Sequence, residues 1–225
     1  MTAYQFDFSA VFSSLPTLIQ GAVVTVELTA IGGGGGLVLG IVCAWGKTMG
    51  PLWLRKLLGG YVEAIRNTPF LIQLSFFYFG LPALGIRLDG MQASLLAIVI
   101  NMGAYNAEII RAGIDATPRG QLEAAASMAM SRALMFRHVV LIPALSRVWP
   151  ALCSQIVLLL LDSAVCSQVA TKDLTYAANI IASQNFRSFE TYFVVTIIYF
   201  LLALAIRRLL RETERHLIVV GASSK

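Results

Sequence analysis

Five apolar runs dictate what this chain can become. They lie near Gly21–Trp45, Tyr61–Pro82, Met91–Ile110, Pro150–Ala170 and Thr191–Ile206, and a hydrocarbon core of roughly 30 Å takes about 20 helical residues per crossing. Of the 225 residues 57% are hydrophobic and only 13% charged, whereas a soluble domain is about a quarter charged. The expectation is an all-α integral membrane protein with one membrane domain over 21–210, a lead-in over 1–20 and a tail over 211–225.

The opening MTAYQFDFSAVFSSLPTLIQG carries Asp7 where a cleavable signal would be basic, so it is expected to stay attached. Cys43, Cys153 and Cys166 fall in apolar runs and read as small buried hydrophobes. The segments Lys47–Lys56, Arg111–Arg147 and Arg207–Lys225 hold thirteen of the 17 Lys and Arg residues. The two other connections hold only Arg87, Lys172 and Arg187. By the positive-inside rule the basic segments are cytoplasmic, which places the N-terminus outside and the C-terminus inside. The net charge of +5 therefore reports orientation and not nucleic-acid binding.

Polar residues inside the runs are the candidate functional groups, because they are costly in lipid. Glycines in IGGGGGLVLG, Ile31–Gly40, predict a close helix-packing face. MGPLWLRKLLGG has the composition of a segment at the inner membrane surface, and Glu63 and Arg66 stand close enough on one helix face to pair. Asn101, Tyr105 and Glu108 form a polar stripe, with Arg111 one turn beyond Glu108. Gln155, Asp162 and Cys166 would share a face of the next span. Both stripes have two readings, a satisfied interhelical network or the lining of a solute pathway, and the pathway reading is stronger at Asp162 than in the first stripe. The chain has no GxxxxGK[ST] loop and no HExxH, and its histidines, His138 and His216, both lie in basic segments. No metal site, no cofactor and no chemistry of its own are expected.

QLEAAASMAMSRALMFRHVVLIP, Gln121–Pro143, is too polar to span a bilayer and starts almost without side-chain bulk. It resembles the cytoplasmic EAA loop of bacterial ABC importer permeases, with Glu123-Ala124-Ala125 matching the motif and Ala129 standing where that family usually has glycine. Pro143 comes one residue later than the family's proline. YVEAIRNTPFLIQLSFFYFGLPALG, NMGAYNAEIIRAGI, DLTYAANIIASQNFRSFETY and RRLLRETERHL resemble the branch that imports polar amino acids and opines.

The resemblance implies a five-span type I importer permease with a coupling loop over 115–148. A coupling helix would dock in a groove of an ATP-binding subunit through Ala124, Ala125, Ala126 and Ala129, with Glu123 at its positive end and Arg119 paired to it. Implied partners are a second permease subunit, identical or paralogous, two ATP-binding subunits that carry the ATP and magnesium, and a periplasmic solute-binding protein. The cargo would be a polar or basic amino acid, with Asp162, Asn101, Tyr105, Glu108 and Gln155 as pathway candidates. A passive channel and a permease for another solute class are the alternatives.

Overall fold

The computed structural model describes residues 5–222, with side chains to residue 213. The first four residues of the lead-in, the last three of the tail and the side chain of His216 lie outside the described residues. Everything described is helix or short connection. Among the described residues four helical segments are long and apolar enough to cross a membrane: Leu15–Met49, Gly90–Asp115, Arg132–Val169 and Ser188–Thr213. A shorter apolar helical run, Phe70–Leu84, accompanies them.

That short run corrects the boundary expected for the second span. Instead of one helix over Tyr61–Pro82, helix α3 (Leu52–Arg66) ends at Asn67 and α4 (Phe70–Ser75) starts after Pro69, whose ψ of 140° is extended. Proline disfavours helix in the residue before it, so apolar content alone could not carry one helix through Thr68. α3 exposes Leu52, Trp53 and Leu57 beside Arg55 and Lys56, as a membrane-surface helix would.

The span expected to begin at Pro150 begins earlier, because the helix runs on through Pro150 from Arg132. Two wide π turns, Phe76–Gly80 and Phe136–Leu141, each end two residues before a proline, Pro82 and Pro143. Proline lacks an N–H and its ring crowds the carbonyl four residues back, and a π turn relieves both by taking one residue more than an α turn.

The chain divides into two compact units, and helices pass from one to the other. The first comprises 1–34, 68–99 and 157–206. Its core gathers Leu18 of α2 (Leu15–Met49), Leu174, Ala178 and Ile181 of α9 (Leu174–Asn185), and Val195 of α10 (Ser188–Ala222). Gly21 lets α9 approach closely, since a Cβ there would lie 2.8 Å from the Asp173 carbonyl oxygen. The lead-in is fastened to the start of α10: Arg187 donates to the Gln5 carbonyl at 3.0 Å and to buried Glu190 at 3.0 Å, and the Asp7 N–H donates to Glu190 at 3.2 Å.

The second unit comprises 35–67, 100–156 and 207–225. Here α2 packs on α5 (Gly90–Asp115) through the glycine stripe. A Cβ on Gly36 would collide with Met102, and one on Gly40 would sit 2.5 Å from the Asn106 Cβ. Both partners advance by four residues, so these helices run parallel in direct contact. Ile110, Phe136, Val140, Ala144 and Leu152 form the main core of this unit.

Candidate functional site

The EAA-type segment folds, within the second unit, as two helices joined by a tight turn. Helix α6 (Arg119–Ser127) follows the extended Pro118, and α7 (Arg132–Met135) is capped by Ser131, whose hydroxyl accepts from the Leu134 N–H at 3.4 Å. Between them the Ala129 N–H donates to the Ala126 carbonyl at 2.9 Å and the Met130 N–H to the Ala125 carbonyl at 3.2 Å. This pair of bonds is a Schellman termination, and it holds Ala129 at φ 54°, in the left-handed region. Glycine usually fills such a position because a Cβ is disfavoured there. The departure from the family pattern noted at Ala129 is therefore a residue carrying backbone strain.

The expected docking face needs correcting. Ala124, Ala126 and Ala129 are exposed, with Met128 at 70%, but Ala125 is 2% exposed and faces its own chain. Three consecutive alanines, Ala124 to Ala126, cannot share one face of a helix that turns about 100° per residue. Glu123 is the fifth residue of α6, beyond its first turn, and among the described residues neither it nor Arg119 makes an ion pair. The helix-terminus and pairing arguments for Glu123 thus do not hold.

A cavity of about 480 Å³ opens in the same unit, lined in part by Lys47, Glu63, Arg66, Asn67, Tyr105 and Glu108. Two of the stripe residues, Tyr105 and Glu108, reach it. Glu108 is held from two sides, by the Lys47 ammonium and by Arg111, whose Nη2 donates to Oε2 at 2.9 Å. Arg111 also binds Asp115 at 2.6 Å. Arg66 does not pair with Glu63 as expected; its guanidinium carbon lies 5.4 Å from the centroid of the Tyr105 ring, a cation–π arrangement. Lys47 is the member sequence reasoning missed. The glycine stripe, which sets α2 against α5, was the available signal.

Asn101 stands half-buried on α5, outside the residues that line this cavity. Gln155 of α8 (Ile142–Asp162) points its amide nitrogen at the Met102 sulfur, 3.8 Å away. Asp162 belongs to the first unit and is exposed, while Cys166 is fully buried, so the two do not share the expected face. The helix tightens to 3₁₀ over Ser163–Val169. At about three residues per turn, four residues of 3₁₀ helix rotate the side chain roughly 120° off the starting face, where α geometry gives roughly 40°.

Known proteins share this architecture and much of this sequence. Residues 36–218 match the family described as binding-protein-dependent transport system inner membrane component. The glutamine transport system permease protein GlnP of Escherichia coli (strain K12) is 34% identical over 215 residues, covering 95% of this chain and 98% of that one. The probable glutamine ABC transporter permease protein GlnM of Bacillus subtilis (strain 168) is 35% identical over 198 residues, 88% and 92% of the two chains. A crystal structure of an amino acid ABC transporter with histidines matches with a TM-score of 0.85 and 36% identity over 95% of this chain and all of that one. The inward-facing MetNI methionine ABC transporter matches at 0.76 with 19% identity, over 90% and 97%, a likeness of fold.

Proposed function

Since the chain belongs to the family of inner membrane components of binding-protein-dependent transport systems, we propose that it is the permease subunit of an ATP-driven importer for a polar amino acid, glutamine being the first to test. The observation that carries this reading is identity of 34–36% to amino acid permeases over 95% of the chain. The chain works with a second permease subunit, two ATP-binding subunits and a periplasmic solute-binding protein. Closure of the ATP-binding subunits moves the α6–α7 element, which docks through Ala124, Ala126, Met128 and Ala129, and the spans answer by alternating access. Asp162, exposed in a membrane span, meets the ammonium or a cationic side chain of the cargo, since a carboxylate there needs a partner or water.

The test is reconstitution. The chain, its ATP-binding subunits and its solute-binding protein are placed in liposomes, and uptake of labelled L-glutamine and L-arginine is followed with and without ATP. ATP-dependent accumulation of either supports the proposal. Equilibration without ATP makes the chain a passive channel, and transport of neither amino acid removes the assignment of cargo. In the same assay Asp162→Asn should assemble normally and lose most of the uptake.

A further inference from the structure

The cavity in the second unit is balanced in charge and unbalanced in partners. Its lining carries two cations, Lys47 and Arg66, and two carboxylates, Glu63 and Glu108. On the α5 side the charges are already spent, with Glu108 between Lys47 and Arg111. On the α3 side Glu63 and Arg66 are exposed, and among the described residues neither enters an ion pair. Asn67 gives an amide hydrogen to the Glu63 carbonyl at 2.8 Å, which leaves its amide oxygen free to accept. A Cβ at Gly59 would meet nothing within 4 Å, so the approach along α3 is open. The volume, about 480 Å³, falls in the range of roughly 300–1,000 Å³ typical of small-molecule sites.

We propose that this cavity binds the zwitterionic head of an α-amino acid. Arg66 takes the carboxylate with its forked donors, Glu63 takes the ammonium, and the Asn67 amide oxygen accepts a further ammonium hydrogen. A simple anion such as a lipid phosphate gains from Arg66 and is opposed by Glu63. A zwitterion uses both signs. The proposal rests on the reading that the chain serves an amino acid importer. With the basic segments cytoplasmic, the site lies on the side where the cargo is released and is separate in the chain from Asp162.

Binding is measured on the assembled transporter, permease with ATP-binding subunits, in phosphatidylcholine nanodiscs without the solute-binding protein. An Asp162→Asn background removes any contribution from that residue. Labelled L-glutamine is titrated against its 2-oxo analogue, which keeps the carboxylate and lacks the ammonium. Saturable glutamine binding is expected, weakened about tenfold or more by Glu63→Gln or Arg66→Gln. Glu63→Gln should also erase the preference for glutamine over the 2-oxo analogue, an effect that general damage would not produce. Retention of the ATP-binding subunits reports that each variant is folded. Absence of saturable binding, equal weakening of both ligands by Glu63→Gln, or displacement of glutamine by added phosphatidylglycerol overturns the proposal. Uptake by the wild-type importer is measured in parallel. Normal uptake without this binding defeats the site alone, whereas absence of any amino acid uptake defeats the reading beneath it.

Discussion

The Lys47 ammonium reaches Glu108 directly, joining the end of α2 to the last residue of the polar stripe on α5. Their side chains are only 16% and 19% exposed, so each would be poorly hydrated alone. Glu108→Gln leaves Lys47 and Arg111 without their shared negative charge and should cost about 2–3 kcal/mol. Lys47→Met should cost less, because Arg111 still neutralises Glu108. Thermal unfolding of the two single variants and the double variant checks this, with the double expected to lose less than the sum.

Ala129→Gly should stabilise the α6–α7 element. Relief of the left-handed strain at φ 54° is worth about 1–2 kcal/mol, less the greater freedom of glycine in the unfolded chain. Ala129→Val should go the other way by a larger amount. Hydrogen exchange at the Met130 amide, bonded to the Ala125 carbonyl, reads the change locally: slower exchange in the glycine variant and faster in the valine variant.

Neighbouring alanines should fail differently. Ala124→Trp adds bulk on the exposed side of α6, so the chain should fold and insert but retain its ATP-binding subunit weakly. Ala125→Trp forces bulk into a packed interior and should lower the yield of folded chain by costing about 1–3 kcal/mol or more. Extraction yield separated from subunit co-purification distinguishes the two. The same losses for both would remove the distinction drawn from burial.

Asp173 sets a dependence on pH. It caps α9 by accepting from the Tyr176 N–H at 2.8 Å, the Tyr199 hydroxyl donates to it at 3.4 Å, and burial pushes its carboxyl up to about 6. A carboxyl raised on folding favours the fold fully below its unfolded value near 4, and that contribution is lost as pH rises through about 6. Melting temperature should therefore fall between about pH 4 and pH 6 and flatten above. Asn is as good a cap, so Asp173→Asn should remove the slope and raise stability at pH 7.5, by up to about 3 kcal/mol. An unchanged slope in the Asn variant would assign it to other groups.

Orientation is open to labelling. In a background lacking the native cysteines, Leu84→Cys should react with an impermeant reagent in intact cells, and Ala133→Cys only after permeabilisation. Leu84 is a better probe than its neighbour Gly85, whose φ of 84° strains any side chain. The reverse pattern would invert the topology. Ser223, a natural third site, lies outside the described residues.

Much of this was written where the sequence is repetitive. Long apolar runs located the spans, and the glycines of Ile31–Gly40 announced the close contact that Gly36 and Gly40 make with α5. What stayed hidden depends on local backbone geometry. The π turns that carry the helix past Pro82 and Pro143 leave no mark on hydropathy, and neither does the 3₁₀ segment that separates Asp162 from Cys166. At the candidate site the sequence placed Glu108 beside Arg111 but could not show that Lys47, 61 residues away, completes the pair. The burial of Ala125 among exposed alanines depends on what packs beneath α6, which side-chain size alone does not reveal.

The left-handed alanine has a genetic consequence. Every alanine codon becomes a glycine codon by a single base change, so the strain in the turn after α6 is one mutational step from removal. A selection for second-site suppressors of weakened subunit docking should recover Ala129→Gly repeatedly.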